Sequence, residues 1–247
     1  MKIIRPLLLL SSFVFLTSCS TNYGVANLGS QARYLEKPTY KGEKETGIYV
    51  SSQYYNNGGE GFNAGVKENS EWIDFAIHRS ITNKNFNASY GIFGYTGNYD
   101  VRALEGFEGK KKHHGFGFMG ELNTVIHLGR IDWRIIGARL AYTFEGGEYA
   151  QFRRDAAAQG LIDNRHPKNA VAQFAITQDI VFKANKFDVG VFVAYGQITT
   201  ELGFSDTYIT SSASIHVTYK DFTFVSQFFG GIFEQPIYAF GLQYKFK

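Results

Sequence analysis

The segment Glu71–Ile81, EWIDFAIHRSI, carries Asp74, His78 and Ser80 at alternate positions. These are the residue types of a nucleophilic triad. A serine hydroxyl attacks an acyl carbon, an imidazole takes its proton, and a carboxylate orients the ring. In an extended strand all three share one face. At about 3.3 Å per residue, however, Asp74 and His78 lie roughly 13 Å apart, far beyond the hydrogen-bond reach of about 3 Å that a triad needs. A partner from a second strand could close the gap, and Glu121 and His127 stand on one face of the segment 115–127. The plainer alternative is a set of polar side chains filling an interior. On balance the sequence leans away from an enzyme.

Two other clusters could bind. Lys110, Lys111 and Lys112 are followed by His113 and His114, in a stretch read as an outer loop over 99–114. Such a run could meet phosphate of lipopolysaccharide or another anionic surface, or simply be solvated. Adjacent histidines point to opposite sides of an extended chain, so no metal site is expected. The stretch 149–161, YAQFRRDAAAQGL, could form a short amphipathic helix with Arg153, Arg154 and Asp155 on its wet side. There is no zinc-ligand spacing, phosphate-cradling glycine loop or nucleotide fingerprint. No cofactor is expected, and a net charge of +3 does not call for nucleic acid.

The elements that hold these residues follow from period-two patterning. In 237–246 the even positions are Tyr238, Phe240, Leu242, Tyr244 and Phe246, against Ile237, Ala239, Gly241, Gln243 and Lys245. The same alternation runs through 170–182, 187–195 and 209–219. Ten strands are expected, at 45–55, 71–81, 86–98, 115–127, 131–144, 168–182, 187–199, 209–219, 222–231 and 236–246. The stretch 61–68 is either a further strand or an extension of a hairpin. Tight turns near 82–85, 128–130, 184–186 and 220–221 alternate with mostly longer connections at 56–70, 99–114, 145–167, 200–208 and 232–235. Short turns at one end and long loops at the other suit a transmembrane barrel. Charge assigns the faces. The segments 168–182, 187–199, 209–219 and 236–246 hold only Lys168, Asp179, Asp188 and Lys245, although 19% of the chain is charged. A water-washed exterior would carry more. The aromatic face is therefore expected to meet lipid and the small, polar face to line a narrow lumen. The fold class is all-β, a single antiparallel up-and-down transmembrane β-barrel of about ten strands.

The N-terminus adds a route. Lys2 and Arg5 precede the apolar run Leu7–Leu16, which has the length of an export signal and not of a spanning helix. Leu16, Thr17, Ser18 and Cys19 then fill all four places of a sequence that resembles the lipobox of bacterial lipoproteins. That resemblance implies lipidation of Cys19, the only cysteine of 247 residues. The domains are then a signal peptide at 1–18, a lipidated linker at 19–44 that could tuck into something later, and a barrel at 45–247. The last strand resembles the C-terminal insertion signal of outer-membrane barrels through Gly241, Tyr244 and Phe246, with departures at Ala239 and Lys247. The spacing of His78 and Ser80 resembles that of lipid A deacylases, but the rest of their motif is absent. Ten strands also resemble the omptin proteases, whose paired acid and histidine sites have no counterpart here.

The expected function is a lipid-anchored outer-membrane barrel with a structural or accessory envelope role. Its external loops would meet an envelope protein or surface ligand, with outer-membrane lipid as its other partner. The alternatives are a narrow transport pore, a lipid-modifying or proteolytic barrel, and a soluble periplasmic barrel on a lipid leash. The expected localisation is the bacterial outer membrane, with the lipid on the periplasmic side because an even strand count returns both strand ends there.

Overall fold

The computed structural model describes residue 26 and residues 30–60, 67–102, 104–162, 169–199, 207–231 and 237–246. Ten antiparallel strands follow in order: β1 Glu45–Glu60, β2 Lys67–Thr82, β3 Phe86–Val101, β4 Gly109–Leu128, β5 Ile131–Gly147, β6 Ala170–Lys183, β7 Phe187–Thr199, β8 Thr207–Tyr219, β9 Phe222–Gly231 and β10 Ile237–Phe246. Each pairs with its sequence neighbours, and β1 pairs with β10 to close the barrel. Closure leaves no sheet edge unpaired, which is what a spanning sheet requires.

The alternation faces as the charge distribution implies. Phe174, Ile176, Val191, Tyr195, Ile215, Phe224 and Phe240 are exposed on the outside. Asp74, Gln173, Thr177, Asp179, Ser214 and Gln243 are buried inside. A soluble barrel has the opposite polarity; this one suits hydrocarbon outside. Aromatic side chains cluster on the outer wall near the tight-turn end, where Phe222 and Phe246 both pack on Tyr244. Among the described residues no helix is long and apolar enough to cross a membrane.

Several strands run further than their apolar pattern. β1 and β2 pair out to Glu60 and Lys67, so the hairpin is extended; residues 61–66 lie outside the described part. β3 and β4 pair out to Val101 and Gly109. Lys110, Lys111, Lys112, His113 and His114 therefore belong to a strand and not to the loop expected from their polarity. Backbone pairing continues beyond the apolar band, where side chains no longer have to be apolar.

Inward glycines make room for large lumenal side chains. Trp72 lies over Gly97, and the His216 ring lies over Gly190 so closely that any Cβ there would enter it. Gly190→Ala should push His216 out of its place and lower stability by about 1–3 kcal/mol. The shift would be read as the temperature at which the folded band disappears in heat-modifiable gel migration.

A helix, α1, spans Glu148–Ala158 directly after β5. It packs Tyr149, Phe152, Ala156 and Ala157 against Val101, Ile162 and Ala26. This agrees with a short helix in the longest loop. Arg153, however, is fully buried, with its guanidinium 2.8 Å from Glu145. It stands on the packed side of α1, not the wet side; Arg154 is exposed and donates to Gln151.

Candidate functional site

The lumen is occupied by the protein's own N-terminal segment. Residues 33–37, Arg-Tyr-Leu-Glu-Lys, are all buried inside the barrel. We call residues 30–44 the strap. It begins with a 3-10 turn at Ser30–Ala32 and then runs extended to β1.

An extended segment inside a closed barrel has no strand to pair with, and its buried carbonyls still need donors. Wall side chains supply them. Gln227 donates to the carbonyl of Ala32 at 2.7 Å and Arg139 to that of Arg33 at 2.8 Å. Gln243 donates to the carbonyl of Tyr34 at 2.9 Å. The hydroxyl of Ser80 donates to the carbonyl of Glu36 at 2.6 Å, with His78 Nε2 at 3.1 Å from the same oxygen. At the N-terminal end of the strap the Trp72 indole donates to the Ser30 hydroxyl at 3.1 Å. Donors from β2, β5, β9 and β10 thus converge from around the wall on Ser30, Ala32, Arg33, Tyr34 and Glu36.

Charge is matched along the same path. Arg33 pairs with Asp74 at 2.8 Å, both without solvent exposure. Lys37 meets Glu121 at 2.7 Å, and Glu121 also holds Arg139. Arg134 pairs with Asp179, which in turn contacts His216 at 3.2 Å. The Tyr34 ring stacks on His216 with centroids 4.0 Å apart and meets the edge of Phe192 at 5.5 Å. The Arg134 guanidinium donates to the Tyr34 hydroxyl at 3.3 Å. Near the tight-turn end, Thr39 donates to Asp188 at 3.0 Å, and Tyr40 stacks on His127.

The residues singled out for chemistry are spread along this path. Asp74 is taken by Arg33, His78 and Ser80 by the Glu36 carbonyl, and Glu121 by two cations. His127 lies at 2.6 Å from Asp132, which also binds Lys183. Ser80 and His78 meet at one strap carbonyl, with the hydroxyl donating to that oxygen, and the others bind the strap or each other. Among the described residues no group of three or more His, Cys, Asp or Glu could hold a metal. The strap residues themselves carry no alternating apolar signal and were legible only as a segment able to tuck in. Arg33 and Lys37 are the one hint, two cations in a linker that faces a barrel interior holding acids.

The two mouths differ. At the tight-turn end a vestibule of ≈ 330 Å³ opens between Thr39, Asp188, Thr218 and Lys220 and ends at Glu36 and Lys37. At the long-loop end the amide of Ala26 donates to Glu145 Oε2 at 2.8 Å, while Arg153 binds the other carboxylate oxygen. Ala26 is buried against α1 there.

No family model matches the chain, and no curated protein matches it. Among solved structures it is similar to the β-domain of the Bordetella autotransporter BrkA, at 8% identity and a TM-score of 0.51, over 81% of this chain and 99% of that one. It also matches the outer membrane protein OprG from Pseudomonas aeruginosa at 14% identity and a TM-score of 0.38, over 83% and 98% of the two chains. The outer membrane protease OmpT from Escherichia coli matches at 8% identity and a TM-score of 0.36, over 83% and 97%. At these identities the likeness is one of fold. The chain is a membrane-type β-barrel.

Proposed function

We propose that this protein is a bacterial outer-membrane barrel with a structural or accessory envelope role, sealed by its own strap and not a conduit. The observation that carries the reading is the match between strap and wall. The strap's backbone is hydrogen-bonded from the wall, and its cations neutralise lumenal acids. An enzyme would leave some of those groups facing a substrate, and a pore would leave them facing water.

Its working surface is then the outside and the long-loop face. On β4 the outward positions Lys110, Lys112 and His114 are exposed in line with Phe116 and Phe118. Successive members of this row are about 7 Å apart, so cations stand just beyond aromatics that meet hydrocarbon. That order fits the phosphate-bearing headgroups of outer-membrane lipid, and Arg154 on α1 is exposed. The lipobox-like Leu16–Cys19 lies outside the described residues; we include a lipid on Cys19 in the proposal on the sequence alone.

Purified protein reconstituted in planar bilayers should show no steady single-channel steps. Regular, long-lived conductance from the intact chain would favour the pore and end the sealed-barrel reading.

A further inference from the structure

The strap does more than fill the lumen, because it has a direction. Its C-terminal end joins β1 at Glu45, which pairs with Thr82 beside the β2–β3 turn. Thr39 is at the same end, bonded to Asp188 next to the β6–β7 turn. Moving toward the N-terminus, Tyr34 reaches Asp179, Arg33 reaches Asp74, and Ser30 reaches Trp72. Ala26 reaches Glu145, two residues before the end of β5 from which α1 and the longest connection start. The chain therefore passes through the barrel from the tight-turn mouth to the long-loop mouth.

In outer-membrane barrels the short turns face the periplasm and the long loops face outward. We infer that the chain preceding Ala26 emerges on the cell surface, so that the processed N-terminus is displayed outside and not held in the periplasm. An even strand count does return both barrel ends to the periplasm, but the strap then carries the N-terminal chain back across the membrane. The lipid on Cys19 rests on the proposed reading above; the threading does not.

Chain length agrees with an external exit. Cys19 and Ala26 are seven residues apart, a span of about 25 Å at full extension. That is enough to leave the mouth and reach outer-leaflet headgroups. A return to the periplasm would need a second pass through a lumen where Asp74, Arg139, Gln227 and Gln243 already grip the strap from different strands. The apolar band alone is about 25 Å tall, and the strands here extend beyond it. An acyl group on Cys19 would then have the external leaflet as its nearest hydrocarbon. The loop face would then display a lipidated N-terminus, with Ala26 held by Glu145 and packed on α1.

The test is a short epitope inserted between Thr21 and Asn22, with the same epitope in the β8–β9 turn at Lys220–Asp221 as the inward reference. On intact cells the N-terminal epitope should bind antibody, and the turn epitope should bind only after the outer membrane is permeabilised. An N-terminal epitope reached only after permeabilisation would overturn the inference. Should an insertion block assembly, Asn22→Cys and Glu105→Cys probed with a membrane-impermeant maleimide give the same reading. Comparable labelling of the two on intact cells supports an external exit, and labelling of Glu105→Cys alone there, with Asn22→Cys reacting only after permeabilisation, overturns it. Mass spectrometry of the N-terminal peptide settles the lipid separately. An external but unacylated N-terminus would leave the threading standing and remove the lipid from the proposed function.

Discussion

Glu121→Gln should lower the stability of the folded barrel by about 3–5 kcal/mol, the range for leaving a buried charge uncompensated. For a chain of this size that is roughly 10 °C in the midpoint of thermal unfolding in detergent. The reason is that Glu121 serves two cations at once. Lys37 of the strap and Arg139 of β5 both end on its carboxylate, and all three side chains are buried. Glutamine keeps the volume but removes the charge. Lys37 would then keep the Leu35 carbonyl at 3.0 Å and the rings of Tyr34 and Phe192 at 5.3 and 5.9 Å, and Arg139 the Arg33 carbonyl and the face of Phe192 at 4.9 Å, with no anion left for either among the described residues. The double variant Lys37→Met with Glu121→Gln should recover part of the loss, because one orphaned cation has gone. Independent effects of the two substitutions, with no recovery, would mean that Lys37 does not reach Glu121 and that the strap is not seated as described. The midpoint of heat-modifiable migration measures both.

Ile92→Arg should cost about 2–4 kcal/mol, the range for arginine on the lipid face at the bilayer midplane of a membrane barrel. Ile92 is 61% exposed and pairs with Phe118, itself exposed, in the middle of the β3–β4 ladder. Asn98→Arg, on the same outward side but nearer the loop end of β3, should cost no more than about 1 kcal/mol. The contrast between positions is the informative quantity, read from equilibrium unfolding in lipid vesicles. A soluble barrel on a lipid leash would treat Ile92→Arg as a harmless surface change and gain solubility from it. Equal, small effects at both sites would return that alternative to first place.

Much of the barrel could be read from alternation because a spanning sheet imposes it. Phe174 and Asp179 differ by an odd number of positions, and they face lipid and lumen respectively. The rule breaks in β5. Strict period two sets Arg134 and Arg139 on opposite faces, yet both are buried inside. The register shifts between Arg134 and Gly137 on the β6 side, with a matching shift between Asn123 and Val125 on the β4 side. A bulge inserts one residue and changes the face of everything after it. No residue type there announces the bulge, so the lumenal arginine pair was hidden.

The strap was illegible for a different reason. Its conformation is fixed by groups far away in sequence, such as Gln227 and Gln243, which are unremarkable polar positions until something extended lies beside them. The chemistry-bearing residues misled in the same way. Asp74, His78, Ser80 and Glu121 do sit on the lumenal face, as the alternation implies. Their partners are strap atoms, which the strand pattern could not supply. Arg153 shows the limit of polarity as a guide, since a carboxylate from the preceding strand gave it reason to turn inward.

The charge ladder between strap and wall also bears on the order of assembly. Asp74, Glu121 and Asp179 on the wall outnumber Arg134 and Arg139, and the strap brings Arg33 and Lys37 to the dry acids. A barrel zipped shut without the strap would leave these acids facing water without the strap's two cations, which would wait outside. Because the strap is continuous with β1, and β1 forms the closing seam with β10, a strap laid against the open sheet would meet the wall's acids before that seam shuts. In this chain the filling is part of the mould, and withdrawal after closure would require the ladder to be broken rung by rung.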